Sequence, residues 1–190
     1  MKKIFGVLFL SFLFLSVSAQ EHYESQFGVK YQHFKVYGNG ISLPAISFIY
    51  KKQVSKNKFR RVDFGFTGSA SLWHTSMLSI GNENHIQLKK RFDLIYGLKL
   101  EGQYSRAMFG RSTSRRINLG VGFLLGFEYK INKNWNIGVS FTPTILSSSH
   151  QVDGRWSNFS KAYMQPNFAI HLTRVLDFYN LCKTKRKPIF

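Results

Sequence analysis

The chain has 190 residues, with 27 Lys+Arg against 9 Asp+Glu, a formal net charge of +18 and 16% aromatic residues. That length suits one domain, and no Pro/Gly/Ser-rich linker divides it. A basic balance of this size usually invites a nucleic-acid partner, but the charges fall between apolar runs and no nucleic-acid motif occurs, so nucleic acid is set aside.

Lys2 and Lys3 precede an apolar stretch from Ile4 to Leu15, and Val17-Ser18-Ala19 supplies small residues. This is the layout of a secretory signal peptide, expected over residues 1–19 with Gln20 as the first mature residue. The stretch is shorter than the roughly 20 apolar residues that span a bilayer core. No cysteine follows the site, so lipoprotein processing is not expected. No other long apolar stretch exists, so any membrane span must be built of strands.

Eight alternating segments follow in chain order. Phe27, Val29 and Tyr31 begin the first, whose parity slips towards Phe34 and Val36, and Gly38-Asn39-Gly40 marks a tight turn. Ile46, Phe48 and Tyr50 belong to the second, and Lys51 to Lys58 connects it to the third. There Val62, Phe64, Phe66, Gly68, Ala70 and Leu72 alternate with Asp63, Gly65, Thr67, Ser69 and Ser71. The fourth, from about Gly81 to Lys90, has only Ile86 and Leu88 clearly apolar on one face, and is inferred partly because closure requires an even count. Phe92, Leu94, Tyr96, Leu98 and Leu100 carry the fifth. Met164, Phe168, Ile170 and Leu172 carry the eighth.

The sixth and seventh are the clearest. Ile117, Leu119, Val121, Phe123, Leu125, Phe127 and Tyr129 alternate with Asn118, Gly120, Gly122, Leu124, Gly126, Glu128 and Lys130. After the turn Ile131 to Asn134, suited to positive φ, Trp135, Ile137, Val139, Phe141 and Ile145 keep the pattern. Successive strand side chains point to opposite faces, so each run has one apolar face and one small or polar face. Glycine weakens the strands of a soluble sandwich, whereas a narrow barrel with lipid outside needs small and polar residues within. The expected fold is an all-β, antiparallel, eight-stranded transmembrane barrel over residues 20–176, followed by a basic periplasmic tail, 177–190, that holds the single cysteine, Cys182. A soluble lipocalin-like barrel is the rival.

Short connections belong on the periplasmic side and long ones outside, so Trp73–Asn82, Tyr104–Arg116 and Ser147–Lys161 are expected as extracellular loops and both termini as periplasmic. By parity Asp63, Lys99, Glu101, Gln103, Glu128, Lys130 and His171 face the lumen. An eight-stranded lumen is just wide enough for side chains to fill, so these groups are expected to pair as a polar plug. The outer connections carry Arg106, Arg111, Arg115, Arg116, Arg155 and Lys161. Guanidinium suits phosphate, so these arginines are expected to contact lipopolysaccharide phosphates or, equally, an acidic surface partner. Lys51, Lys52, Lys56, Lys58, Arg60, Arg61, Lys89, Lys90 and Arg91 are expected to face anionic phospholipid headgroups on the periplasmic side.

The arrangement resembles the small eight-stranded outer-membrane barrels typified by OmpA, OmpX and OmpW, across roughly Phe27 to Val175. The resemblance implies a Gram-negative outer membrane, membrane lipids and the barrel-insertion machinery as partners, and a monomer. The family's last-strand insertion signal is similar to Gln165-Pro166-Asn167-Phe168-Ala169-Ile170-His171-Leu172. It places Gln165, Asn167, Ile170 and Leu172 at the key positions, with Asn167 where glycine is usual. The role it implies is structural, membrane-stabilising or surface-interacting. A narrow porin-like pore or transport component is the alternative. The third reading is an enzyme: His74-Thr75-Ser76, with Glu83 in the same connection, resembles the His-x-Ser pair of outer-membrane lipid A deacylases, although that family carries it late in the chain. Chemistry of this kind needs histidine within reach of serine and a third group behind it. No cofactor is expected, since the six histidines lack ligand spacing and no Walker or Rossmann glycine pattern occurs.

Overall fold

A computed structural model describes residues 24–35, 42–69, 73–109 and 112–176. The signal-peptide segment, Gly38-Asn39-Gly40, Arg111 and the tail from residue 177 lie outside the described residues. Eight strands form: β1 (Ser25–Lys35), β2 (Ser42–Ser55), β3 (Lys58–Ser69), β4 (Trp73–Lys89), β5 (Phe92–Phe109), β6 (Ser112–Lys130), β7 (Trp135–Val152) and β8 (Arg155–Leu176). Each pairs antiparallel with its sequence neighbour, and β8 returns to β1, closing the barrel.

The barrel is inside-out. Phe168 is 67% exposed, Leu100 65% and Leu119 64%, while on the opposite face Lys51, Glu83, Gln165 and Thr173 are 0% exposed. Large apolar side chains alone on the outside of a closed wall have one favourable solvent, the hydrocarbon of a membrane. The buried apolar set is small, with Ala45 and Met77 forming the one buried cluster among the described residues. Lumen-facing glycine is a steric requirement at Gly138: a Cβ there would collide with the imidazole of His171.

Three expected loops are strand instead. Trp73–Asn82 is the upper part of β4, and Tyr104–Arg116 becomes the ends of β5 and β6. Most of Ser147–Lys161 extends β7 and β8. Lipid imposes apolar alternation only where a strand crosses hydrocarbon, about 9–11 residues. Beyond that band the ladder of backbone hydrogen bonds continues with polar residues on both faces, as in Ser147, Ser148, Ser149 and His150. The described strands differ in length. β1, β2 and β3 have 11, 14 and 12 residues, whereas β4 to β8 have 17, 18, 19, 18 and 22.

Turn chemistry also differs from expectation. The Ile131–Asn134 turn uses no positive φ. The Asn132 side-chain oxygen instead accepts from the backbone N–H groups of Asn134 and Trp135, at 2.8 and 3.0 Å. Left-handed backbone is used in the β7–β8 hairpin, at Asp153 (φ 47°) and Gly154 (φ 84°). The Asp153 carboxylate accepts from Ser112 Oγ at 3.0 Å and the Thr113 N–H at 2.9 Å, tying that hairpin tip to the start of β6.

Candidate functional site

The lumen is crossed by one continuous set of ion pairs. Lys30 Nζ donates to Asp63 Oδ2 at 2.7 Å, and Arg61 Nε donates to the other Asp63 oxygen at 2.8 Å. Arg61 Nη1 continues to Glu83 Oε2 at 2.8 Å. Lys51 Nζ then donates to Glu83 Oε1 at 2.7 Å and Glu128 Oε2 at 2.6 Å. His85 Nε2 lies 2.7 Å from Glu83 Oε1, and His171 Nε2 lies 3.3 Å from Glu128 Oε2. Three fixed cations (Lys30, Lys51, Arg61) thus face three carboxylates (Asp63, Glu83, Glu128). A buried carboxylate is costly alone, and here each is held by at least two partners.

Further along the lumen the chemistry turns from charge to amide. Lys99 pairs with Glu101 at 2.7 Å, and Gln103 Nε2 donates to Glu101 Oε1 at 2.7 Å. Asn118 donates to Gln103 at 3.0 Å, and Gln165 Nε2 donates to Asn167 Oδ1 at 3.0 Å. An asparagine at position 167 completes this amide row where a glycine would leave a gap. At the other end, Phe59 lies inward with its ring centroid 4.5 Å from that of His85, and Lys130 reaches Asp93 at 2.8 Å.

No family model matches the chain, and no curated protein matches it. Solved structures do. Neisserial surface protein A aligns with a TM-score of 0.61 and 9% identity, covering 81% of this chain and 97% of the other. The N-terminal β-barrel domain of Pseudomonas aeruginosa OprF gives 0.61 and 8%, covering 82% and 98%. Ail, the attachment invasion locus protein of Yersinia pestis, gives 0.52 and 10%, covering 83% and 100%.

The fold is that of a small outer-membrane β-barrel.

Within that barrel, Asp63, Lys99, Glu101, Gln103, Glu128 and His171 are buried in the lumen, and Lys130 stands half-exposed at its mouth. Sequence reasoning missed Lys30, Lys51, Arg61, Glu83 and His85. Lys51 and Arg61 were placed among cations facing headgroups, but both side chains are buried. The signal was available: outward Ile46, Phe48 and Tyr50 put Lys51 on the inward face, and outward Phe64 and Phe66 do the same for Arg61. The expected connection Lys51–Lys58 hides Lys51, since the turn is only Lys56–Asn57, and a third strand begun at Val62 leaves out Arg61, which β3 includes from Lys58.

The outer arginines separate. Arg106 on β5 and Arg115 on β6 lie on the outward face as direct cross-strand partners. Each is two positions from an outward apolar residue, Tyr104 or Ile117. Arg116 turns the other way, towards the lumen mouth, opposite His150. Arg155 is exposed at the β7–β8 hairpin tip. None of the four described arginines is on a long loop.

His74 and Ser76 share the outward face of β4, and Glu83 points inward on the same strand. The Glu83 carboxylate is bound to Lys51, Arg61 and His85, nine residues away from His74, or about 30 Å along an extended strand. The His74 ring lies between Phe66 and Tyr104, with centroids 6.3 and 5.8 Å away. That set brings no carboxylate to His74.

Proposed function

We propose that this outer-membrane barrel has a structural and surface-interaction role, in which Arg106 and Arg115 hold phosphate groups of lipopolysaccharide. The observation that carries the reading is their direct cross-strand pairing on the outward face. Like charges opposite each other on one face of a sheet destabilise it. A phosphate between two guanidiniums reverses that sign through charge-assisted, bidentate hydrogen bonds. The position supports the same reading, since the pair stands just beyond Tyr104 and Ile117, where an apolar wall gives way to headgroups.

The compensated lumen supports a plug rather than a conduit, because Lys51 on β2 is bonded at once to Glu83 on β4 and, across the interior, to Glu128 on β6. On β8, Gln165 and Asn167 face inward while Ile170 and Leu172 face outward. Lys52 and Arg60, also direct partners, suit anionic phospholipid at the opposite rim.

Phosphate analysis of the purified barrel tests the central reading. Arg106→Ala with Arg115→Ala is expected to strip most co-purifying lipopolysaccharide, while Arg116→Ala leaves it in place. Equal retention by all three proteins removes the phosphate role.

A further inference from the structure

One row of side chains crosses the outward face of five strands. His74 on β4 is the direct partner of Arg106 on β5, and Arg106 of Arg115 on β6. Arg115 in turn partners Gln151 on β7, and Gln151 partners Trp156 on β8. The row begins inside the aromatic belt, where His74 lies between Phe66 and Tyr104. It ends beside the β7–β8 hairpin tip, where Trp156 is 51% exposed. Among the described residues the row contains two guanidiniums, one amide, one indole and no carboxylate.

The far end of the row is built rather than loose. Gln151 Nε2 donates to the Gly154 carbonyl at 3.0 Å, and Asp153 is bound to Ser112 and Thr113. The acid nearest the row is therefore already engaged, and the hairpin that carries Trp156 is fixed against β6. A preorganised platform loses little entropy on binding.

We propose that this row binds the phosphorylated inner-core saccharide of lipopolysaccharide, not its lipid anchor alone. The inference rests on Arg106 and Arg115 as phosphate ligands and adds a sugar subsite at Gln151 and Trp156. The two guanidiniums take phosphate, the Gln151 amide hydrogen-bonds hydroxyls, and the flat indole lies against a sugar ring. Arg115 and Trp156 are two strand spacings apart, about 10 Å, the reach of a phosphate and one or two sugar rings. Acyl chains of the same molecule lie lower, against Tyr104, Ile117 and Leu119.

The test compares two probes on the full barrel in detergent: lipopolysaccharide with a phosphorylated inner core, and lipid A lacking the core. The wild-type barrel is expected to prefer the core-bearing form by about tenfold, the size of one aromatic contact. Trp156→Ala loses that preference and keeps lipid A binding, and Trp156→Phe retains most of it. Heat-dependent gel mobility verifies that each variant is folded. Absence of preference in the wild type, or an unchanged preference in Trp156→Ala, overturns the sugar subsite and leaves the phosphate reading standing. Unchanged binding of both probes by Arg106→Ala with Arg115→Ala overturns both.

Discussion

Lys51 and Glu128 are 77 positions apart in sequence and 2.6 Å apart in the lumen, joined across the interior from β2 to β6. Lys51 also bonds Glu83, so one ammonium separates two carboxylates. Replacing it with methionine keeps the bulk and leaves Glu83 and Glu128 short of a cation. Breaking a buried pair by removing one partner costs about 3–5 kcal/mol. Lys51→Met should therefore lower the temperature at which the barrel loses its compact gel mobility, well beyond the change from Lys52→Met on the outward face.

Glu101→Leu should also reduce heat resistance, but by less. Glu101 has a single ion-pair partner, Lys99, and one amide donor, Gln103. Melting followed by circular dichroism in detergent checks the order of the two variants. A larger loss at Glu101 than at Lys51 contradicts the ranking.

Gly138 is the cross-strand partner of both Glu128 and His171, so it lies directly beneath the contact between those side chains. A methyl group there occupies the space of the imidazole. Gly138→Ala is expected to destabilise by about 1–3 kcal/mol, in the range for overpacking. His171→Ser in the same chain should recover part of it, the Phe127 carbonyl 2.8 Å from the same position remaining in place. Failure of that rescue would locate the strain elsewhere.

The plug has an electrical consequence. In planar bilayers the folded barrel should show no large steady conductance. Shortening the network with Lys51→Ala and Glu83→Ala should introduce or raise channel activity. Large, ion-selective conductance in the unmodified barrel would overturn the plug.

Lipid A deacylation should be absent from purified barrel, and Ser76→Ala should change nothing, because Glu83 points away from His74 and lies far along β4. Fatty-acid release measured against a heat-unfolded control decides it, and release dependent on Ser76 would restore the enzyme reading.

The fold was legible because hydrocarbon writes a period of two into any strand that crosses it. Ile117 to Tyr129 and Trp135 to Ile145 mark the membrane-crossing parts of β6 and β7, about two thirds of each strand. Legibility failed where that solvent stops. Above the band, His74, Arg106 and His150 sit on regular strands held by backbone hydrogen bonds, which leave no mark on side-chain polarity. β4 was the weakest segment because Asn82 and Asn84 interrupt its outward face between Ile80 and Ile86. Arg115 and Arg116 are neighbours in sequence, yet they face outward and towards the lumen respectively. Only a register fixed by pairing separates them.

Asp63, Glu83, Asp93, Glu101 and Glu128 are five of the nine acids in the chain, and all five are buried in the lumen against basic side chains. The wall thus sorts charge by sign of access: these anions are withdrawn from the surroundings, while Lys52, Arg60, Arg106 and Arg115 stand on the outward face. On the proposed reading, Arg106 and Arg115 offer a phosphate-bearing leaflet two positive charges fixed on neighbouring strands, filling the electrostatic place otherwise taken by dissolved divalent metal.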